Sequence, residues 1–327
     1  MKPLELTFAC GKYDRMEAMR TGEVTPEGIN LNFLPIDAPR EIFDRMVGNL
    51  EFDVAELSIS EFITMTSRGE CPFVALPVFP SRVFRHSFIF INAQKGISEP
   101  KSLEHKRVGV GLYTQTAAVW IRGHLSHDYQ VNLSTIRWVQ GAVEKAGAHG
   151  SPSAAPPLVA PNLENNMTDK SLSDLLASGE IDALIGARIP NSFRKHPDVV
   201  RLFPDYRSTE RKYFHSTAIY PIMHLIAIRR DVYERNRWIG SSLYKAFVQA
   251  KEIALREMRF SAAPKYMLPW LYADLDEIDE IFGGDPWPYG VAANAPTLNA
   301  LMDYMVEQNL IARHLPIRQL FVPLDKI

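Results

Sequence analysis

The stretch Pro80-Ser81-Arg82-Val83-Phe84-Arg85-His86-Ser87-Phe88-Ile89-Phe90-Ile91-Asn92 places two arginines and a histidine directly before an apolar, aromatic and β-branched run. Residues of these types are typical of a buried strand, so the stretch predicts a strand with cations at one end. A second stretch, Thr217-Ala218-Ile219-Tyr220-Pro221-Ile222-Met223-His224-Leu225-Ile226-Ala227-Ile228, is also strand-like and contains a single histidine. We interpret the two stretches as paired crossings between two lobes.

Strand and helix patterns alternate on both sides of the first crossing. Before it, strands are predicted at 4–9, 29–36, 52–57 and 73–79, and helices at 15–21, 39–47 and 62–67. After it, strands are predicted at 107–111, 136–139 and 181–185, and helices at 117–125, 171–179, 234–259 and 295–308. This alternation predicts the α/β class, with lobe 1 formed by 1–91 and 225–327, lobe 2 by 92–224, and a cleft between them.

The composition limits the kinds of partner that this protein can have. A chain of 327 residues, with 46% hydrophobic and 23% charged residues, suits two domains of ordinary size. The formal net charge is -2, and the sequence lacks the basic stripe that nucleic acid or an anionic membrane requires. No apolar run is long enough to span a bilayer. We therefore expect neither nucleic acid nor a membrane as a partner, and any recognition of anions must be local.

The two cysteines, Cys10 and Cys71, both lie in apolar, strand-like surroundings. This context predicts buried free thiols rather than a disulfide framework or a thiolate metal site. The N-terminal residues 1–8 lead directly into a strand, without an apolar secretory segment or a small-residue cleavage site. We therefore expect a cytoplasmic protein.

Candidate binding residues follow the predicted strands of the first series. Tyr13 and Asp14 lie at the carboxyl edge of the first strand, and Glu56 lies in the third. Open α/β sheets bind ligands at this edge. Ser58 and Glu61 have the spacing of a capping box for the helix that follows. A helix cap and a helix N-terminus that faces the cleft are both open interpretations of Ser58.

The second series contains a pattern suited to an anion. Thr114 and Thr116 lie between a short glycine-containing strand and the helix 117–125. Backbone N–H groups, hydroxyls and the positive end of the helix dipole meet at such a position, so it would suit a carboxylate, although an ordinary threonine cap explains the pattern equally well. Arg188 follows the strand 181–185, and a position facing the cleft is at least as well supported there as one on the surface.

Two loops carry further candidates. Trp287 and Tyr289 lie in a loop stiffened by proline and glycine, which suits stacking on a planar ligand or filling of the core. His149 lies in the segment 147–166, rich in Pro, Ala, Ser and Gly, where we expect a solvated loop histidine.

Six segments of the sequence resemble the 4,5-dihydroxyphthalate decarboxylase family, and the resemblance runs nearly end to end. The segments are Gly11-Lys12-Tyr13-Asp14-Arg15, Phe79-Pro80-Ser81-Arg82-Val83-Phe84-Arg85-His86-Ser87, Ser178-Gly179-Glu180-Ile181-Asp182-Ala183-Leu184-Ile185, Tyr220-Pro221-Ile222-Met223-His224, Asp285-Pro286-Trp287-Pro288-Tyr289-Gly290 and Glu307-Gln308-Asn309-Leu310. The resemblance implies the type II periplasmic-binding-protein fold, used by a cytoplasmic enzyme of phthalate breakdown that forms protocatechuate and carbon dioxide. We expect the proline-rich stretch 151–161 to shape the substrate range.

The implied reaction needs an acceptor for the electrons of the breaking carbon–carbon bond. A hydroxyl para to the departing carboxylate serves if the ring carbon that carries the carboxylate is protonated first, so we expect neither a cofactor nor a metal. The enzyme must hold both carboxylates, polarise or deprotonate a phenol, deliver a proton to carbon and keep the departing carboxylate poorly solvated.

The cations of the candidate set suit the two carboxylates of the substrate. We assign Arg82, Arg85 and Arg188 to them, because a guanidinium group matches a carboxylate through two parallel hydrogen bonds. Thr114 and Thr116 would add the donors of the helix end.

The proton donor is expected among the histidines of the crossings. Histidine changes charge near neutral pH, and we prefer His224 to His86, although a satisfied core histidine remains an equally open interpretation of His224. Glu56 or Asp14 could accept a phenolic proton, and the aromatic pair of the loop 283–290 could cover the ring.

The main alternative is a solute-binding protein that delivers an aromatic or sulfonated anion to an ABC transporter. The fold supports both functions, since fold does not decide function. The histidines near the cleft and the missing export signal favour the enzyme. A metal-dependent decarboxylase is less favoured, because the sequence has neither a helical pair of histidines nor clustered carboxylates at a spacing recognisable as a metal site. A homodimer through the C-terminal helices remains open.

Overall fold

The computed structural model describes residues 2–150 and 155–324, and in this part of the chain eleven strands form two sheets. The strands are β1 (Leu4–Cys10), β2 (Ile29–Pro35), β3 (Val54–Ser58), β4 (Phe73–Arg82), β5 (Ile89–Asn92), β6 (Arg107–Val110), β7 (Arg137–Gln140), β8 (Leu163–Asn165), β9 (Ala183–Ile185), β10 (Val199–Arg201) and β11 (Ile222–Arg229). The helices are α1 (Asp14–Arg20), α2 (Pro39–Asn49), α3 (Ile59–Arg68), α4 (Thr116–His127), α5 (Leu172–Ser178), α6 (Tyr206–Thr217), α7 (Arg230–Arg235), α8 (Ile239–Arg259), α9 (Leu271–Phe282), α10 (Ala295–Glu307) and α11 (Ile317–Leu320).

The two sheets confirm the predicted α/β class and its two lobes. The first sheet has the strand order β2-β1-β3-β11-β4, and the second has the order β10-β5-β9-β6-β7-β8. In the first sheet β11 runs antiparallel to both of its neighbours, β3 and β4. The chain therefore builds most of one lobe, makes the second lobe, and returns to insert β11 into the first.

The composition of the first crossing predicted a strand that runs through it, but the structure shows two strands separated by a break. β4 ends at Arg82, a short 3₁₀ helix spans His86–Phe88, and β5 then pairs in the other sheet. A single strand cannot continue its ladder of hydrogen bonds across the gap between two sheets, so the chain breaks its regular structure there. At this point the N–H of Val83 donates to the carbonyl oxygen of Pro221, at 3.1 Å, so the two crossings lie side by side.

The strand pairing places the changes of sheet a few residues from the expected divisions at 91/92 and 224/225. Ile91 pairs with Ala183 within the second sheet, and His224 pairs with Ser58 within the first. Each expected division falls inside a strand, because the apolar pattern of that strand runs through it. The chain changes sheet at 83–88 and at 202–221.

The helices follow the sequence signals where those signals are local. Ser171 and Asp174 form the capping box of α5, and Gly179 ends this helix in the left-handed conformation, as predicted. The predicted long helix 234–259 is instead two helices, α7 and α8. Asn236 interrupts it, and its side-chain amide donates to the carbonyl oxygen of Val232, in the local hydrogen bonding by which asparagine competes with helix.

Two further expectations concern the chain as a whole. Cys10 and Cys71 are both buried and free, as predicted. Across residues 2–150 and 155–324, no helix has both the length and the apolar character that crossing a bilayer requires. Part of the stretch 151–161, which we expect to shape the substrate range, lies outside the described residues, namely 151–154.

Candidate active site

A cavity of about 270 Å³ lies where the two lobes meet beside the crossings. Its lining comes from strands of the first sheet, from loops of the second lobe that follow β6 and β9, and from the N-terminal ends of three helices, α2, α3 and α4. Six of the residues selected from the sequence line it: Tyr13, Ser58, Arg85, Thr116, Arg188 and His224.

The central pair of the site is His224 on β11 and Glu56 on β3. The two strands are antiparallel neighbours, and the Nδ1 atom of His224 lies 2.5 Å from Oε1 of Glu56. Glu56 is fully buried, whereas the His224 side chain is 17% exposed. An ionised carboxylate can only accept, so His224 Nδ1 carries the shared proton. This leaves Nε2 as the ring nitrogen available to a ligand in the cavity.

The surroundings of Glu56 keep it ionised. Burial by itself raises the pKa of Glu56, but the charge and the hydrogen bond of His224 outweigh it and hold that pKa below the usual range. Tyr13 Oη donates to Oε1 at 2.6 Å, and the N–H of Gly11 donates to Oε2 at 3.0 Å. Burial, and then the Glu56 charge, raise the pKa of Tyr13, so its phenol stays protonated as a donor.

Gly11 makes this arrangement possible. A Cβ atom at this position would lie 3.0 Å from Cε2 of Tyr13, closer than side chains usually pack. The missing side chain lets the Tyr13 ring fold back towards Glu56. The Gly-Lys-Tyr motif at the end of β1 therefore serves to complete the carboxylate's hydrogen bonds.

Arg85 is a buried cation beside the cavity. Its side chain lies against Met223, with 3.2 Å between Nε and Sδ, and among the described residues it forms no ion pair. Burial lowers the pKa of Arg85, because its charge is poorly solvated there. Arg85 lies over the Phe88 ring and is only weakly stabilised by the charge of Glu210, so a carboxylate in the cavity would favour its buried charge further. Arg188, in contrast, is exposed at the cavity's edge.

Hydroxyl groups join the ends of α3 and α4 across the interface between the lobes. Thr116 shares hydrogen bonds with Ser60, at 2.8 Å, and with Ser58, at 3.0 Å. The predicted capping box is therefore wrong. The Ser58 side chain makes no capping hydrogen bond to the backbone of α3, because its hydroxyl is used in this cluster. Thr116 does not cap α4 either, since this helix begins after Gln115. The positive ends of two helix dipoles meet at the cavity.

The sequence reasoning missed two contributors to the lining. Arg40, in the first turn of α2, forms an ion pair of 2.5 Å with Glu61, and both residues line the cavity. His149 lines it as well and is half-buried, so the expectation of a solvated histidine is wrong. Burial, and then the charges of Arg188 and Arg40, lower the pKa of His149. The proline at the start of α2 was the available signal for Arg40, whereas the position of His149 depends on how its loop folds.

Arg82 does not line the cavity, although it lies only three residues from Arg85 in the sequence. It is buried, and its guanidinium donates to the carbonyl oxygens of Tyr220, at 3.2 Å, and Pro288, at 3.0 Å. It also donates to the side chain of Asn294. Its charge is used to tie the crossings to the C-terminal region, so we do not retain it as a carboxylate ligand.

The other candidates also lie outside the described lining of the cavity. Asp14 pairs with Arg15 at 2.9 Å, beside an apolar groove that contains Trp287. The Trp287 indole donates to the carbonyl oxygen of Phe79, and Tyr289 is buried with its ring under the ammonium group of a lysine. The placement therefore favours the interpretation that the aromatic pair fills the core.

Thr114 and His86 complete this set. The carbonyl oxygen of Thr114 accepts a hydrogen bond from Ser60, so Thr114 contributes its backbone to the hydroxyl cluster. His86 is buried among aromatic rings, stacked on His124. Neither side chain is placed for the role that the sequence suggested.

Two lobes joined by two crossings, with a cation-lined cavity where they meet, define a protein of the periplasmic-binding-protein-like class. The structure is similar to the periplasmic aliphatic sulphonate binding protein SsuA from Escherichia coli, with a TM-score of 0.53 and 12% identity over 98% of this chain and 97% of that one. A putative sulfonate-binding SsuA from Methylobacillus flagellatus has a TM-score of 0.54 and 12% identity, covering 98% and 92%. At this identity the likeness concerns the fold alone.

The sequence comparison is more specific. The chain is 37% identical over 324 residues to the 4,5-dihydroxyphthalate decarboxylase of Comamonas testosteroni, covering 99% of this chain and 98% of that protein. A second protein of the same name, from Pseudomonas putida, is 39% identical over 206 residues, which are 63% of this chain and 79% of that one. No family model matches the chain. The chain belongs to the 4,5-dihydroxyphthalate decarboxylase family.

Proposed function

We propose that this protein decarboxylates 4,5-dihydroxyphthalate to protocatechuate and carbon dioxide in the cavity beside His224. Membership of the decarboxylase family supports the reaction. The observation that supports the site is the buried Glu56 carboxylate on Nδ1 of His224, which leaves Nε2 for the ligand. Such a histidine, oriented by a carboxylate, suits proton transfer.

The cations and helix ends supply the binding of two adjacent carboxylates. Arg85 is buried beside the cavity and forms no ion pair with a described residue, whereas Arg188 lies at the exposed edge. The N-termini of α3 and α4 add partial positive charge between them. We assign the carboxylate that remains on the product to Arg85, because its binding must persist through the reaction, and the departing one to the side of His224.

The reaction proceeds by protonation of the ring. His224 enters the step as an imidazolium, with one proton on Nδ1 towards Glu56 and a second on Nε2. It donates the Nε2 proton to the ring carbon that carries the departing carboxylate, while the oxygen para to that carbon supplies the electron pair. The carbon–carbon bond then breaks, its electrons restore the aromatic ring, and carbon dioxide leaves. The ring gains one proton and loses one carboxylate, and His224 recovers its proton from solvent.

Glu56 acts in this scheme through His224 and does not accept the phenolic proton. Its two oxygens already receive hydrogen bonds from Tyr13, Gly11 and His224, and its lowered pKa makes it a weak base. His149 is better placed to take that proton, since it lines the cavity and its lowered pKa keeps the imidazole neutral.

The test is to incubate the purified, chelator-treated protein with 4,5-dihydroxyphthalate and to follow carbon dioxide and protocatechuate together. We expect equal amounts of the two products. If the compound binds and remains intact, the cavity belongs to a solute-binding protein, which is the alternative that the fold permits. If an added divalent metal ion raises turnover without changing Tm, the scheme of unaided ring protonation is wrong.

A homodimer is a further proposal, supported by an exposed apolar segment before α9. Met267, Leu268 and Trp270 are 100%, 58% and 76% exposed. Clusters of exposed apolar side chains commonly mark an interface between proteins. Sedimentation of the purified protein should give the mass of two chains, and Trp270→Ser should shift it towards one.

A cytoplasmic location is also proposed. Both cysteines are buried free thiols, which is in keeping with a reducing compartment. Fractionation of the producing cells should recover the protein with cytoplasmic markers, and recovery with periplasmic markers would contradict the proposal.

A further inference from the structure

A second group of ionisable side chains lies apart from the cavity, between the first crossing and α4. The imidazole rings of His86 and His124 are stacked, with 4.9 Å between their centroids and 18° between their planes. They are only 1% and 2% exposed. His86 belongs to the 3₁₀ turn of the crossing, and His124 belongs to the last turn of α4.

The four ring nitrogens of this pair lack hydrogen-bond partners among the described residues. Buried polar groups in folded proteins nearly always have such partners, so two neighbouring exceptions require a physical reason. The surroundings offer little else, since the aromatic rings of Tyr129, Phe203 and Tyr213 pack around His86. The Tyr213 hydroxyl beside them also lacks a described partner, so the ring nitrogens are available to a ligand.

Asp128 adds a carboxylate to the pair. Its Oδ2 atom lies 3.3 Å from Nδ1 of His124, without the geometry of a hydrogen bond. One ligand atom can be chosen from each of the three residues so that all lie within 4.8 Å of one another. Neighbouring ligands of a tetrahedral zinc ion are about 3.4 Å apart, given metal–ligand distances of about 2.1 Å, so the carboxylate and His124 already have nearly this separation.

We propose that His86, His124 and Asp128 bind one zinc ion or a similar divalent transition metal ion. Two imidazoles and one carboxylate are ligands that Zn²⁺ prefers, whereas Mg²⁺ and Ca²⁺ prefer oxygen ligands only. Binding requires the widest pair of ligand atoms to close by up to about 1.4 Å, which side-chain rotation of the two histidines supplies.

The protonation of the two histidines is compatible with this role. Burial, and then the neighbouring His124, lower the pKa of His86 to about 3. Burial also lowers the pKa of His124. Both imidazoles are therefore neutral near neutral pH and keep a nitrogen lone pair free for a metal.

The position of the site indicates a structural function. The metal ion would tie the crossing to α4, whose other end forms part of the cavity. Arg85 directly precedes His86, so the ion would also fix the backbone that presents the buried cation. The proposal does not depend on the reaction in the cavity, because none of the three residues belongs to the described lining.

The test uses Zn²⁺ itself as the probe. The protein is stripped with a chelator, reloaded, separated from free metal and analysed for zinc content, and thermal unfolding is followed with and without the ion. We expect one equivalent per chain and a higher Tm when the ion is bound. Co²⁺ in place of Zn²⁺ should give the visible absorption of a site with imidazole and carboxylate ligands.

The variants assign the site. His124→Asn should lose the bound equivalent and the metal-dependent rise in Tm. His127→Asn is the matched control, since His127 lies on the same helix but is exposed and paired with Glu307, and it should bind as the wild type does. Asp128→Asn should weaken binding by at least about 10-fold, by analogy with the loss of groups that support a metal ligand.

Asp128 is partly exposed, so the Asp128→Asn protein should fold even if the histidine variants do not. Circular dichroism identifies any variant that fails to fold. The proposal is overturned if the stripped wild type takes up no zinc, if folded His124→Asn retains it, or if Asp128→Asn binds as tightly as the wild type.

Discussion

The histidines on the two crossings make an instructive contrast. His224 lies in a regular strand, has the buried Glu56 carboxylate on one nitrogen and presents the other to the cavity. His86 lies in a 3₁₀ turn, is 1% exposed, and is surrounded by aromatic rings without a described hydrogen bond. Both histidines were selected from the sequence as candidate proton donors for the same reason, their position on a crossing. The comparison shows that a histidine's function depends on its partner and on its access to a ligand.

The largest expected effect comes from exchanging each histidine for asparagine. His224→Asn should lower kcat by about 10²–10⁴-fold, the usual contribution of a proton donor, while substrate affinity changes little. His86→Asn should instead lower Tm and leave turnover per folded molecule largely intact, because His86 does not contact the cavity. Single-turnover product formation and calorimetric binding measure the two quantities separately.

Asparagine suits this comparison because it can still donate a hydrogen bond to Glu56. The outcome opposite to our expectation would be wild-type turnover in His224→Asn together with loss of turnover in folded His86→Asn. That result would transfer the proton donor to the buried cluster and remove the basis for the cavity mechanism.

A second comparison concerns the two buried arginines of the first crossing. Arg85→Met should raise KM for the dicarboxylate by about 10–100-fold, since a charge-assisted hydrogen bond contributes roughly 1.5–3 kcal/mol. Arg82→Met should leave KM nearly unchanged and lower the free energy of unfolding, because it removes the bonds to Tyr220 and Pro288. Steady-state kinetics and urea unfolding of both variants provide the measurement.

The two arginine variants serve as controls for each other, because they remove the same charge from the same segment. Equal rises in KM would mean that the charge acts at long range and that Arg85 has no direct contact with the substrate.

The smallest effect is expected in the pH dependence of the free energy of unfolding, to which Glu56 contributes at acid pH. Its pKa is lower in the folded protein than the value of about 4.3 usual for an unfolded chain, so its contribution is complete above that pH. As the pH falls below about 4.3, the unfolded chain binds the proton first, and stability is lost at up to about 1.4 kcal/mol per pH unit. Glu56→Gln should make this fall shallower.

Urea unfolding between neutral pH and the acid transition measures that slope for both proteins. The comparison of slopes avoids the separate loss of stability that the substitution itself causes. A Glu56→Gln profile parallel to the wild type would show that Glu56 does not titrate differently on folding. The contrast between His224, stabilised by a charged partner, and His86, which has none among the described residues, would then lose its electrostatic basis.

Several features of the site depend on contacts that local patterns do not encode. Glu56 and His224 are 168 residues apart in the chain, and Ser58 and Thr116 are 58 apart. The sequence suggested each residue separately, because Glu56 and His224 lie in predicted strands and Ser58 and Thr116 lie near predicted helix starts. It did not indicate that the serine and threonine bind each other rather than cap their helices, since capping and cross-linking use the same hydroxyl.

The different roles of Arg82 and Arg85 could not be predicted from local sequence patterns. In a continuous strand, residues three apart point to opposite faces, but the crossing is irregular after Arg82, and no periodicity applies to it. The carbonyl groups that bind Arg82 come from Tyr220 and Pro288, distant in sequence. The role of each arginine is therefore set by the packing of the C-terminal region against the crossings.

The sequence by itself determined the α/β class, the order of most strands and helices and the decarboxylase family, because these depend on apolar periodicity and on contiguous motifs. The tertiary structure alone decided which of the selected side chains share a cavity, that His149 joins them, and that His86 meets His124 instead. The physical reason is that burial, hydrogen bonding and charge pairing are properties of neighbours in space. In this protein those neighbours are brought together only when β11 returns to the first sheet beside β3 and β4.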